Sequence, residues 1–544
     1  MKNKNGKMAG TSAVVALVII AGCGGSESDA IATTAPSAEP LAVDLLIQGG
    51  MIYDGDSDQP VVGDVGIVGD RIAFVGTTQR KVVAARTVGA KGMVVAPGFI
   101  DAHSHVDGDV FSTDAAKRLN TPFTTQGVTT AVIGNDGYGG YDIAAQAARL
   151  RAAPPGTNIA MYVGFGPVRQ SQLADDNVAP TATQLEIMKG HVADAMCQGA
   201  LGLSAGLYYT PQSFSTTEEV IEVAKVAARF GGLYDTHMRD EGSSNVGLKA
   251  AVAEALRIGA EAGMPVNISH IKALGVDAQG QAPDIIKLIE AEQAKGRKIT
   301  ADQYPWLASS TYFSAAVIPP WALAGGRTAM LARFNDATVL TQLKIDIAEN
   351  IRGRGGAAAL LFAAGNPAYV GKTLADVATT AGVAPVDAVM TVLRGSEMLV
   401  ANFNQSDNDV RAFMVQPWVI TSSDSSTGHP RAYGSFAHKY AEYVVRQKTI
   451  TLAQFVRSSS ALTADTLGLT GRGRLKADYF ADVVVLDPAK YKAMATYTSP
   501  AQLSVGVVMT LVNGQPTVEN GATTGKASGR PLLRTVDAKL CPAA

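Results

Sequence analysis

The sequence predicts an α/β fold: a closed (β/α)8 TIM barrel, a small β-sandwich domain assembled from both chain ends, and one inserted subdomain. Three observations lead there. Eight short runs rich in Val, Ile, Leu or Ala recur between residues 94 and 422, most of them separated by helical patterns. Repeated strand–helix units make a parallel sheet, and eight of them close a barrel. The segments on either side have another texture, short apolar runs punctuated by Gly and Asp, which suits hairpins. The interval between the seventh and eighth runs is too long for a simple crossover, so it must carry structure of its own.

Composition agrees with this and excludes several classes. The chain has 544 residues, 47% of them apolar, enough to bury more than one core. Lys and Arg number 46 against 48 Asp and Glu, a net charge of -2, and no basic cluster stands out. A nucleic-acid partner is therefore not expected. Three cysteines cannot form a disulfide scaffold.

The elements follow in order. Lys2, Lys4 and Lys7 precede an apolar run from Ala13 to Ala21, too short to span a bilayer. Residues 1–22 read as a secretory signal. Ile20-Ala21-Gly22-Cys23 resembles the bacterial lipobox, which implies lipidation at Cys23 and a periplasm-facing place in the bacterial cell envelope. The lipid is then the expected contact with the membrane. Residues 23–40 lack apolar periodicity and read as a flexible linker. Residues 41–97 and 475–544 are expected to form the composite β-domain, with Asn513-Gly514 as a hairpin turn.

Residues 98–474 are expected to hold the barrel, with strands near 94–100, 128–133, 158–163, 199–204, 232–236, 265–269, 298–302 and 418–422. Helical patterns lie between them, as at 218–229, 246–262 and 284–294. The insertion spans about 315–405 and could act as a lid over the barrel mouth. Cys197 sits in a helical pattern and reads as a buried inert thiol; whether it pairs with Cys541 stays open.

Chemistry gathers at the strand ends. Strand one runs into Asp101-Ala102-His103-Ser104-His105, and side chains at i and i+2 of an extended chain share one side. His103 and His105 can therefore reach one metal ion. Strand five ends in His237, strand six in His270 and strand eight in Asp424. A lone His after a strand is usually structural. Four of seven His together with an Asp, all at the carboxyl ends of strands where barrel enzymes keep their sites, point instead to a metal centre. His191, His429 and His438 fall in helix or loop patterns, and His191 reads as a solvated helix residue.

These motifs resemble the amidohydrolase superfamily, and within it the D-aminoacylase (N-acyl-D-amino-acid deacylase) family. The likeness rests on Pro97-Gly98-Phe99-Ile100-Asp101-Ala102-His103-Ser104-His105, Gly127-Val128-Thr129-Thr130, Gly199 to Ser204, Tyr234 to Glu241, Ser269-His270-Ile271-Lys272, Asp302-Gln303-Tyr304-Pro305 and His429 to Gly434. It runs from about residue 41 to the end and is weakest in the insertion.

The resemblance implies zinc, one or two ions, and hydrolysis of N-acyl-D-amino acids to a carboxylate and a free D-amino acid. The family holds its metal mainly by the two single His, here His237 and His270, and by a cysteine after strand two. Here that turn reads Gly134-Asn135-Asp136-Gly137, so Asp136 stands in the cysteine's place. A carboxylate still binds or bridges zinc, but as a harder ligand it weakens the preference over manganese or cobalt. By the same resemblance Asp424 is general base and acid for metal-activated water, and Tyr304 stabilises the oxyanion. Lys272 and Arg431 hold the substrate α-carboxylate, with Ser310 as a lesser contact. The family's Val-Gly-His-Gly reads Val163-Gly164-Phe165-Gly166, which predicts a more apolar pocket.

Two other readings are compatible with the residues. One is a related amidohydrolase acting on D-residue dipeptides or another small amide. Hydantoinase-type relatives use a carbamylated Lys after strand four, whereas this strand ends Leu203-Ser204-Ala205-Gly206. The other is an inactive metal-binding lipoprotein, against which Asp424 argues, since a pure binder has no need of a proton shuttle.

Overall fold

The structure, a computed structural model, describes residues 39–541. The predicted signal, Cys23 and the linker through residue 38 lie outside the described residues.

The barrel strands are Phe99–Asp101, Val128–Ile133, Asn158–Met161 continuing as Val163–Gly164, Gly202–Gly206, Leu233–His237, Val266–Ile268, Ile299–Gln303 and Val419–Thr421. Consecutive strands pair in parallel around the ring. The ring closes where the Asp424 amide donates to the His103 carbonyl at 2.8 Å. Every residue of Val128–Ile133, Gly202–Gly206 and Leu233–His237 is buried. One face of each strand packs inside the barrel and the other under a helix, so burial is continuous along these strands rather than alternating.

The helices show why local sequence and packing agree. In Thr217–Arg229 the Thr216 hydroxyl caps the start by accepting from the Glu219 amide at 3.1 Å. Val220, Ile221, Val223, Ala224 and Ala227 then lie buried against the barrel. Each aliphatic side chain of Val or Ile size so buried contributes about 1.5–3 kcal/mol.

The run expected as strand one, 94–100, serves two sheets. Val94–Pro97 joins the β-domain, antiparallel to Val483–Leu486, and only Phe99–Asp101 enters the barrel. The crossing is at Gly98, where any Cβ would collide with the Thr129 side chain.

The β-domain is a nine-stranded sheet drawn from Leu41–Gly89, Val94–Pro97 and Val483–Thr523. Leu41–Ile52 belongs to two parts of it, pairing through its first half with Val82–Gly89 and at its end with Val94–Pro97. Ile47, Ile67, Val483 and Leu511 meet in its core. The insertion begins earlier than its predicted limit: Ala308–Tyr312 is its first strand and pairs with Leu399–Phe403, which also pairs with Leu360–Ala364.

The chain's end departs from the expected β-domain. Pro531–Leu532 pairs in parallel with Asn158–Met161, and the Arg534 amide and Nη1 donate to the carbonyls of Gly199 and Leu201 at 3.0 Å each. Strand three contacts strand two with its first half and strand four with its second, which leaves backbone groups for this tail to satisfy. Cys541 then forms a disulfide with Cys197, across a sequence separation of 344 residues. Cys197 is thus not the free thiol expected from its helical pattern.

Candidate active site

Asp136 lies at the centre of the barrel mouth. Its Oδ1 is 3.4 Å from His103 Nε2, 3.3 Å from His270 Nε2 and 3.7 Å from His237 Nδ1. Its Oδ2 is 3.3 Å from His105 Nε2. One carboxylate therefore faces four imidazoles drawn from strands one, five and six.

The turn that presents it is tightly built. Gly134 and Gly137 have φ of 81° and 72°, and Asp136 itself has φ of 55°. The Ser204 hydroxyl, from strand four, accepts from the Gly137 amide at 2.7 Å and donates to the Gly134 carbonyl at 2.5 Å. Gln212 Nε2 donates to the Asp136 carbonyl at 3.0 Å. A side chain at Gly137 would collide with the Gln212 amide. His270 and Asp424 also adopt left-handed φ, 35° and 46°. For non-glycine residues this costs free energy, and such strain tends to sit at functional sites.

Further in, carboxylates orient the imidazole-bearing loops. Asp302 accepts from the His270 amide at 2.9 Å and from Asn267 at 2.8 Å. Asp101 accepts from the Ser423 amide at 2.8 Å. Complete burial pushes the Asp101 carboxyl up to about 7.

Asp424 stands beside the cluster, with Oδ1 3.3 Å from His105 Nε2 and Oδ2 2.7 Å from Arg431 Nη1. Burial disfavours its charge, but Arg431 and the imidazoles outweigh that and hold it well below the carboxylate range. Asp136 is held low in the same way by His103 and His270. Burial would depress His105, yet the Asp136 and Asp424 carboxylates raise it to about 10.

These side chains fit a metal. Ligand atoms of His103, Asp136, His270 and Asp424 lie within 4.8 Å of one another, and so do those of His237, Glu241 and His270. Both ring nitrogens of His103 are buried without a hydrogen-bond partner. Nitrogens in that state are costly unless something else coordinates them. Imidazole and carboxylate form a donor set suited to zinc and its divalent neighbours.

A narrow cleft opens beside the cluster, lined in part by His237, His270, Lys272, Tyr304, Ser310 and Asp424. Lys272 Nζ pairs with Glu241 and lies 2.8 Å from His270 Nδ1. Tyr304 sits between two cations, its ring 5.6 Å from Lys272 Nζ and 5.1 Å from the Arg431 guanidinium. Burial lifts its phenol well above the usual range, and Gln405 Nε2 donates to its oxygen at 2.9 Å. The hydroxyl proton is thereby kept and free to be donated. The Ser310 hydroxyl is buried without a partner. Arg431 Nη1 is close to Asp424 but not aligned as a hydrogen bond, and Nε has no acceptor either, so the fork retains donors.

One expectation is corrected. Phe165 does not line the cleft; it is fully buried in the barrel core. The apolar residue at that position belongs to packing. Three features went unread in the sequence. Glu241, four residues after His237, accepts from Lys272 and lies 2.9 Å from His270 Nδ1. Its acidic character and offset from His237 were the available signal. His429 is buried, with Nδ1 accepting from the Arg431 amide at 3.1 Å and Nε2 3.2 Å from the Ala308 carbonyl, and so ties the Arg431 loop to the insertion. Arg354, from within the insertion, reaches the cleft wall.

Comparison with known proteins agrees with this geometry. Residues 86–518 match the model of the amidohydrolase family. A D-aminoacylase of Alcaligenes xylosoxydans xylosoxydans is 33% identical over 519 residues, covering 90% of this chain and 98% of that protein. A D-aminoacylase crystal structure superposes with a TM-score of 0.78 at 30% identity, over 90% of this chain and 100% of that one. The N-acyl-D-glutamate deacylase of Bordetella bronchiseptica, solved with zinc and a phosphonate inhibitor, superposes with a TM-score of 0.77 at 28% identity, over 91% and 100%. The chain belongs to the amidohydrolase family, on the branch that includes the D-aminoacylases.

Proposed function

We propose that the protein is a metal-dependent deacylase that hydrolyses the amide bond of N-acyl-D-amino acids. The observation that carries this reading is the convergence of four imidazoles on Asp136, with Asp424 and its partner Arg431 beside them and Lys272 against His270. His103, His105, Asp136, His237 and His270 would hold the metal, and zinc suits them. When bound, it supplies Lewis acidity that polarises the amide carbonyl and acidifies water.

The chain's own residues do the rest. Asp424, ionised and within reach of the cluster, takes the proton of the attacking water and returns it to the departing amine nitrogen. The Tyr304 hydroxyl donates to the oxygen on which negative charge develops. Lys272, the Arg431 fork and the Ser310 hydroxyl bind the substrate α-carboxylate, and so set the face of the α-carbon presented to the centre. On binding, that carboxylate would compete with Glu241 for Lys272 and with Asp424 for Arg431.

We read the location as the bacterial cell envelope, facing the periplasm and anchored by lipid on Cys23. The lipobox-like Ile20 to Cys23 supports this, and so does the Cys197–Cys541 disulfide, a bond suited to an oxidising compartment. The activity is tested with N-acetyl-D- and N-acetyl-L-amino acids in the presence of zinc. Release of free amino acid from D-substrates alone is expected, and no release from any of them would remove the reading.

A further inference from the structure

Three cationic side chains stand at the cleft, Lys272 and Arg354 on its wall and Arg431 beside the wall residue Asp424, and two have a carboxylate: Lys272 pairs with Glu241 and Arg431 with Asp424. The third is Arg354, which follows the helix Leu340–Gly353 of the insertion. It is only 6% exposed. Its Nη2 donates to the Tyr208 hydroxyl at 2.6 Å, and among the described residues no carboxylate lies within 4.0 Å of it. Asp240, the remaining acid on the cleft wall, is already occupied. It accepts from the amides of Gly242, Asn245 and Gly247 at 2.9, 2.6 and 2.9 Å.

A guanidinium buried with a neutral phenol as its charge-bearing end's side-chain partner is poorly compensated. Its planar fork matches a carboxylate. Tyr208 also fixes where it sits: the Tyr208 ring centroid is 5.4 Å from that of His237. Arg354 therefore stands about one side-chain length from the reacting centre, on the insertion, apart from the cations assigned to the α-carboxylate.

We infer that Arg354 binds a second carboxylate of the substrate, so that the protein prefers N-acyl-D-amino acids carrying two acid groups. This rests on the deacylase reading. The second carboxylate could end an acidic side chain, as in D-glutamate or D-aspartate, or the far end of a dicarboxylic acyl group such as succinyl.

Pairs of equal shape and different charge test it. The metal-loaded protein is given N-acetyl-D-glutamate beside N-acetyl-D-glutamine, and N-succinyl-D-alanine beside its succinamide counterpart. The charged member of one pair should be preferred at least tenfold in kcat/KM, and which pair shows it identifies the source. Arg354→Gln should lower that ratio about tenfold or more, mainly through KM, and Arg354→Lys should retain part of it. No charge preference in either pair, or a preference that survives Arg354→Gln, would overturn the assignment. If no D-substrate is hydrolysed, the deacylase reading fails; the same four compounds, titrated calorimetrically against both proteins, still decide whether Arg354 selects charge.

Discussion

Arg431 holds its Nη1 2.7 Å from Asp424 Oδ2, joining the cation suited to gripping the substrate to the carboxylate suited to moving the proton. On the proposed reading, binding and proton transfer share one contact. A substrate carboxylate arriving at Arg431 would draw the guanidinium from Asp424 and leave that oxygen free to accept a proton.

Asp424→Asn keeps the shape and removes the proton acceptor. Turnover should fall by about 10²–10⁴-fold, the usual contribution of positioned acid–base catalysis. Bound metal, measured by atomic absorption on the same sample, should stay nearly constant. Loss of metal in step with turnover would make Asp424 chiefly a ligand.

Asp136 faces all four imidazoles, so its chemistry should set metal selectivity. Asp136→Cys should raise zinc affinity relative to manganese and cobalt, because thiolate is the softer ligand. Asp136→Ala should lower metal content and activity together. Competition dialysis against the three metals reads both, and unchanged affinities in the two variants would show that the side chain does not face the ion.

Lys439 offers a test by pH. Its ammonium is buried with only the hydroxyls of Thr421 and Ser458 as partners, at 2.7 and 3.2 Å, and burial pushes it down to about 7. In the unfolded chain a lysine titrates near 10.4. Between about 7 and about 10 the unfolded chain binds more protons than the folded one, so this group makes stability rise with pH across that window. Lys439→Met should flatten the rise and stabilise the protein at pH 7 by up to a few kcal/mol, because each tenfold loss of proton affinity on folding corresponds to about 1.4 kcal/mol. Urea unfolding at pH 7 and pH 9.5 checks this; an equal slope in both proteins would contradict it.

The Cys197–Cys541 bond clasps the tail that lies against strand three. Cys197→Ser should destabilise the protein by about 2–5 kcal/mol, typical of a lost native disulfide. Urea unfolding measures this, and thiol labelling with and without reductant confirms the pairing. A free thiol at Cys197 in the unreduced native protein would contradict it.

Much of the fold was legible because short apolar runs such as Ala131-Val132-Ile133 recur between helical patterns, as buried barrel strands require. The boundary at Gly98 was not, because Val94 to Ile100 is one apolar run and only the Thr129 contact shows where it changes sheet. In the site, the imidazoles stood out through their position at strand ends. Glu241 and Arg354 did not. Each lies in irregular structure whose partners, Lys272 and Tyr208, are brought close only by tertiary packing. The cysteine pairing was hidden for the same reason, since 344 residues separate its halves and spacing carries no information at that range.

The most direct measurement is to strip metal with a chelator, restore zinc stepwise, and follow bound metal and amino-acid release together. N-acetyl-D- and N-acetyl-L-substrates are run in parallel, with His270→Ala beside the parent. The metal-free protein should lose activity by at least about a thousandfold, regain it in proportion to bound metal, and act on the D-series alone; His270→Ala should fail to recover. Full hydrolysis by the metal-free chain, or full recovery by His270→Ala, would contradict a metal centre built on these imidazoles.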